Sequence, residues 1–248
     1  MAFTIIGYSA AATVATLANI AGLADQHVRV SGNDIIVPEL TKVIGVYAMG
    51  STITQARLSS PSLRRLAEPD IEPIDTGLEP TSPTPIHDLR ATPWQLDRSE
   101  ALNFQTISAT GSGQTYGIVL LSDGKLGPIP TGQLLSVRCT NTTTLTANAW
   151  TNGALTFAQT LPAGRYAVVG MRAQSAGLVA ARIVIPGENW RPGCIGYDSD
   201  VEVEDPMFRM GRMGNWGEFE HNEPPTVDFL SISADSAQVV HLDLVKIK

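Results

Sequence analysis

Residues 178–185, LVAARIVI, are apolar on both alternating faces: Val179, Ala181, Ile183 and Ile185 on one, Leu178, Ala180 and Val184 on the other, with Arg182 among the second set. A strand apolar on both sides must be covered on both sides. The preceding run, 165–174, is also extended in pattern, and Ser175-Ala176-Gly177 between the two has turn chemistry. The chain therefore has to fold around a deeply buried β-hairpin. At 248 residues it is long enough to do so, as one large all-β domain or two small ones.

Further β signals lie on both sides of this hairpin. In the N-terminal part, 28–30 and 35–37 flank Ser31-Gly32-Asn33-Asp34, and 43–49 and 52–58 flank Gly50. Residues 101–108 and 115–121 follow. Residues 134–140 alternate, with Leu135, Val137 and Cys139 inward. Asn152-Gly153 between 144–150 and 155–160 reads as a hairpin turn. Met207–Met210 reads as a short strand, and 226–233 and 238–247 form a closing hairpin. No βαβ alternation and no fixed-period repeat is present, so the class is all-β, a sandwich or barrel. One helix is expected, at 9–24, SAAATVATLANIAGLA. Ser9 would cap it, and Val14, Leu17, Ala21 and Ala24 would share a face. That stretch has no basic n-region, which argues against a cleaved signal peptide.

Between Pro61 and Pro93 the periodicity stops, and seven prolines fall in that span. Proline removes amide donors and fixes φ, so the sequence predicts a long, irregular surface excursion. Such excursions are commonly functional or interfacial. Arg64, Arg65, Arg90 and Trp94, in or beside it, are residue types that dominate contact energetics and are the candidate interface residues.

The net charge of −7 argues against a general nucleic-acid or anionic-membrane binder. Arginine outnumbers lysine by 13 to 4, a bias shared by contact surfaces and GC-rich coding. Two cysteines, Cys139 and Cys194, do not make a disulfide framework, and Cys139 is expected to be a buried free thiol. No run is long and apolar enough to span a membrane as a helix.

Catalytic patterns are thin. The four histidines form no zinc motif. His241 and Asp243 share a strand face, a pairing more typical of a structural hydrogen bond than of a triad, since no nucleophile context appears. Glu218 and Glu220, near Trp216, would lie ~7 Å apart on one strand face, a spacing compatible with glycoside hydrolysis. Asp198, Asp200, Glu202 and Glu204 alternate, so an extended backbone would point four carboxylates one way. A cation such as Ca²⁺ or an arginine-rich neighbour at a subunit boundary would relieve the repulsion, and the plain alternative is a solvated acidic loop. Asn141-Thr142-Thr143 is a formal sequon.

The segments LPAGRYAVVGMRA, LVAARIVIPGENWRPG, GRMGNWGEFE and PPTVDFLSISADSAQVVHLDLVKI, in this order and texture, resemble jelly-roll major capsid proteins of tailless icosahedral viruses of bacteria and archaea, many of which enclose a membrane. The resemblance covers under half of the chain. It implies a jelly roll, single or double, with residues 1–105 as a short first part and 106–248 as a C-terminal jelly roll. It also implies a self-assembling, non-enzymatic coat subunit, commonly trimeric, that meets other capsid proteins in a virion assembled in the host cytoplasm. Residues 1–26 contain no Lys or Arg, so such a subunit would not meet the genome directly; an internal membrane, reached through the N-terminal helix, or a second protein would. No cofactor beyond Ca²⁺ is implied. Two other classes compete: a carbohydrate-binding β-sandwich using Trp94, Trp150, Trp190 or Trp216, and an enzyme on a jelly-roll scaffold.

Overall fold

The computed structural model describes residues 3–25, 28–65, 67–75, 86–125, 127–198 and 206–248. They divide into two compact units, an N-terminal unit, Ile5–Gly124, and a C-terminal unit, Lys125–Lys248, the latter joined by Phe3 and Thr4. The 105/106 boundary expected from sequence falls inside a strand, so the division lies later in the chain.

The C-terminal unit contains β13 (Leu134–Asn141), β14 (Trp150–Ala154), β15 (Thr156–Phe157), β16 (Arg165–Gln174), β17 (Leu178–Val184), β18 (Gly193–Tyr197), β19 (Gly217–Glu220), β20 (Thr226–Ser231) and β21 (Gln238–Lys246). Eight of these make two antiparallel sets of four. The first strand lies beside the last: β13 pairs β21, β21 pairs β16, and β16 pairs β19. In the other set β14 pairs β20, β20 pairs β17, and β17 pairs β18. The expected hairpin is thus split: β16 and β17 are consecutive in sequence but belong to different sets. Residues of both faces of β17 are buried, as the two-sided pattern requires.

The N-terminal unit repeats this order. Its strands are β1 (Phe3–Ala11), β2 (Ala18–Gly22), β3 (Arg29–Ser31), β4 (Asp34–Ile36), β5 (Lys42–Gly50), β6 (Ile53–Ser59), β7 (Asp70–Ile71), β8 (Pro73–Asp75), β9 (His87–Asp88), β10 (Trp94–Gln95), β11 (Ala101–Ser108) and β12 (Gln114–Ser122). Here too the first strand lies beside the last, β1 by β12, and β12 lies by β5. The other set runs from β2 and β4 to β11, from β11 to β6, and from β6 to β7. Tyr8 and Phe104 pack in its core with ring centroids 5.7 Å apart, and the buried Tyr8 hydroxyl donates to the Leu102 carbonyl at 2.7 Å.

Four local expectations are corrected. The expected helix at 9–24 is strand, turn and strand: Ser9 pairs Ala21 instead of capping, and Ile20, opposite Phe104, is buried while Val14 is exposed. Open sheet positions beside β1 and β11 outweigh the weak propensity of an isolated helix. Met207–Met210 is not a strand; a 3₁₀ turn spans Pro206–Phe208. Asn152-Gly153 is not a turn but lies within β14, where the Asn152 amide donates to Asp228 at 2.8 Å. The 61–93 excursion is partly stitched into the sheet: β8, β9 and β10 line one edge of β5, and β7 extends β6.

Candidate functional site

The excursion builds a recess on the N-terminal unit. A 3₁₀ turn, Leu63–Arg65, follows β6, and β10 docks on β5 through Trp94 opposite Val43. Leu63, Ala67, Pro69, Pro93, Trp94 and Leu96 line a recess of about 520 Å³, with Arg65 and Asp97 at its rim. None of these apolar side chains is fully buried. A preformed, half-exposed apolar concavity with an aromatic wall is a common form of contact surface.

Glu100 holds the two walls together. Its carboxylate accepts from the Ser62 hydroxyl at 2.6 Å, from the Ser62 amide, and from the Asp97 amide at 2.6 Å. Burial works to raise its pKa, but the bonds from Ser62 and Asp97 outweigh it and hold the group below its ordinary value. A group with a depressed folded pKa stabilises above its unfolded value and loses that effect as pH falls. Glu100→Gln should therefore cost about 1–2 kcal/mol at neutral pH. The gap from the wild type should narrow as pH drops below the free carboxylate's 4.5, as read by thermal unfolding across a pH series. A gap independent of pH would contradict this role.

The four candidate interface residues have different placements. Arg65 and Trp94 meet at the recess, where Arg65 pairs Asp97 at 2.7 Å. Arg64 turns to Glu68 at 2.8 Å and to Ser59. Arg90 folds back on Asp88 at 2.6 Å, away from the recess lining. Leu63, Pro69 and Leu96, which complete the recess, and Glu100, which braces it from behind Ser62 and Asp97, were not singled out from sequence. Their only signal was proximity to the proline-rich span.

The other candidates separate. Of the acidic series, Asp198 accepts from the Gly177 amide at 3.1 Å, while Asp200, Glu202 and Glu204 lie outside the described residues. Among the described residues no three His, Cys, Asp or Glu side chains converge as a metal site. Asp243 is fully buried and bound by Arg209, so the partner expected for His241 is committed elsewhere. The His241 imidazole is held below its usual pKa by burial, then by Arg209, Arg172 and Arg138. Glu218 pairs Arg165 at 2.7 Å, while Glu220 is exposed. Asn141 of the sequon is buried and donates to the Ala154 carbonyl at 2.6 Å. Cys139 and Cys194 are buried free thiols, each pushed up to about 12 by burial. The tryptophans form no shared platform: Trp150 is covered by Arg182, whose guanidinium lies 4.0 Å from the ring centroid, and Trp216 is buried against Phe3.

No protein-family model matches the chain, and no curated protein does. Two solved structures are similar to it. The major capsid protein P2 from bacteriophage PM2 is 12% identical, with a TM-score of 0.27 over 98% of this chain and 97% of that one. A xanthan lyase from Paenibacillus is 11% identical, with a TM-score of 0.25; the match covers 100% of this chain and 25% of the lyase.

Proposed function

We propose that this chain is the coat subunit of an icosahedral virus shell, built as a double jelly roll. The observation that carries the reading is the strand order, first strand beside last and second beside penultimate, present once in each unit. Two Greek keys of this order make a jelly roll, an architecture that viral coats share with lectins and cupins. The order alone does not choose among those uses. The recess at Trp94 favours assembly, because it offers a neighbouring copy an aromatic wall, prolines already fixed in φ and a charged rim.

On this reading the subunit acts by packing rather than by turnover, which the commitment of Glu218 to Arg165 and of Asp243 to Arg209 supports. It would form a homo-oligomeric, trimeric capsomer within the virion. The net charge of −7 and the lack of basic residues in 1–26 leave the genome to another component. A membrane contact through an N-terminal helix is dropped from the reading, because that segment is β1 and β2.

Replacing the whole excursion would strip β7, β8 and β9 from the sheet, so point substitutions are the sharper test. Trp94→Ala with Leu96→Ala should leave a folded protein whose self-association is weaker by about 2 kcal/mol or more, roughly thirtyfold. Sedimentation velocity and electron microscopy would read the change. A monomeric wild type at every concentration, or a variant that assembles like the parent, would defeat the proposal.

A further inference from the structure

A second concavity, on the C-terminal unit, is polar where the recess is apolar. It measures about 390 Å³ and is lined by Gly127, Pro128, Arg165, Glu188, Asn215, Trp216, Gly217 and Glu218. We propose that this cleft binds the polyhydroxylated ring of a neutral saccharide.

The walls are preformed. Asn215 donates its backbone amide to the Gly127 carbonyl at 3.3 Å, and the Trp216 amide donates to Val168 at 2.8 Å. The Asn215 side chain accepts from the Gly217 amide at 3.0 Å. Gly217 has φ 149°, and a Cβ there would meet Ile185 at 2.6 Å and the Glu188 side chain at 3.5 Å. The missing Cβ leaves room for Ile185 against the strand that carries Glu218. Glu188 itself is seated on a turn in which its amide donates to Ile185 at 3.1 Å.

The polar inventory selects the ligand. Glu218 is oriented by Arg165 at 2.7 Å and keeps acceptor capacity. Glu188 is exposed and has no ion pair among the described residues. Trp216 is nine-tenths buried and its indole N–H is itself enclosed, so the donors open to the cleft are those of Arg165 and Asn215. Two carboxylates against one guanidinium repel an anion. Planar acceptors with a few donors, in a cleft of small-ligand size, suit a ring bearing several hydroxyl groups and no negative charge. Because Trp216 is buried, hydrogen bonds rather than ring stacking would carry the affinity.

The test uses the full chain, with cellobiose, maltose, lactose and N,N′-diacetylchitobiose as probes, 3′-sialyllactose as the anionic control and CaCl₂ as the cation control. Saturation-transfer NMR and calorimetric titration should find binding of at least one neutral disaccharide and none of sialyllactose. Glu188→Gln and Glu218→Gln should each weaken binding about tenfold or more. Glu220→Gln, outside the cleft lining, should leave binding and near-UV circular dichroism unchanged. The inference is overturned if no neutral disaccharide binds, if binding survives both cleft variants intact, or if only CaCl₂ produces a response. None of these outcomes bears on oligomeric state, so the assembly reading stands or falls separately.

Discussion

Asp228→Ala should destabilise the C-terminal unit by about 3–5 kcal/mol, the range for removing one partner of a buried ion pair. Asp228 and Arg182 are both almost fully buried, and the Arg182 Nε donates to the carboxylate at 3.0 Å. The same carboxylate accepts from the Arg191 guanidinium and, at 2.8 Å, from the Asn152 amide. One acid thus joins β17, β14 and the loop that carries Arg191, whose backbone in turn bonds the Thr4 hydroxyl. Alanine would strand the charge of Arg182 in the core. Arg182→Met with Asp228→Ala removes the Arg182 charge along with its partner and leaves only Arg191 without its acid, so the double variant should be more stable than Asp228→Ala alone. Denaturant unfolding of the four corners of that cycle measures it. A cost below about 1 kcal/mol for Asp228→Ala would show that the cluster is not structural in the sense argued.

Asp243→Ala should cost a similar amount, about 3–5 kcal/mol, and should also release the turn at 206–213. Asp243 has no exposed surface; it accepts from Arg209 at 2.7 and 3.0 Å and from the Met210 amide at 2.8 Å. Those bonds hold Met210 at φ 53°, a left-handed conformation costly for a non-glycine residue. Gly170 makes the crossing possible, since a Cβ there would lie 2.5 Å from the Asp243 carboxylate and 2.8 Å from the Phe208 carbonyl. Without the carboxylate, the turn loses what fixes it. Trypsin should then cut after Arg209 or Arg212 much faster than in the wild type. Met210→Gly should act in the opposite sense and gain about 1 kcal/mol by removing the left-handed penalty. Unchanged proteolysis of Asp243→Ala would contradict the clamp.

The sequence by itself determined the β class, the buried hairpin strands and the burial of Cys139, because each follows from alternation along one strand. Two-sided apolarity at 178–185 can be satisfied only inside a protein, whatever the partners. Which partners they are was decided by tertiary structure. Nothing local tells β16 and β17 to join different sets, or marks β13 to lie beside β21, more than ninety residues away. The repeated strand order left no sequence period because it is a property of pairing, and many side-chain combinations satisfy the same pairing. The misread segments have the same cause. Residues 9–24 have helical spacing, yet they sit where β1 and β11 leave a sheet position open. Asn152-Gly153 is turn chemistry in isolation, but the Asn152 amide has a buried carboxylate to reach on β20. The recess follows the same rule. Trp94 and Arg65 were legible as contact residue types, but Glu100, which joins the two turns around them, draws its role from bonds to Ser62, thirty-eight residues away. Alternation along a strand is local and survives in the sequence; hydrogen-bond partners distant in the chain exist only once the chain has folded.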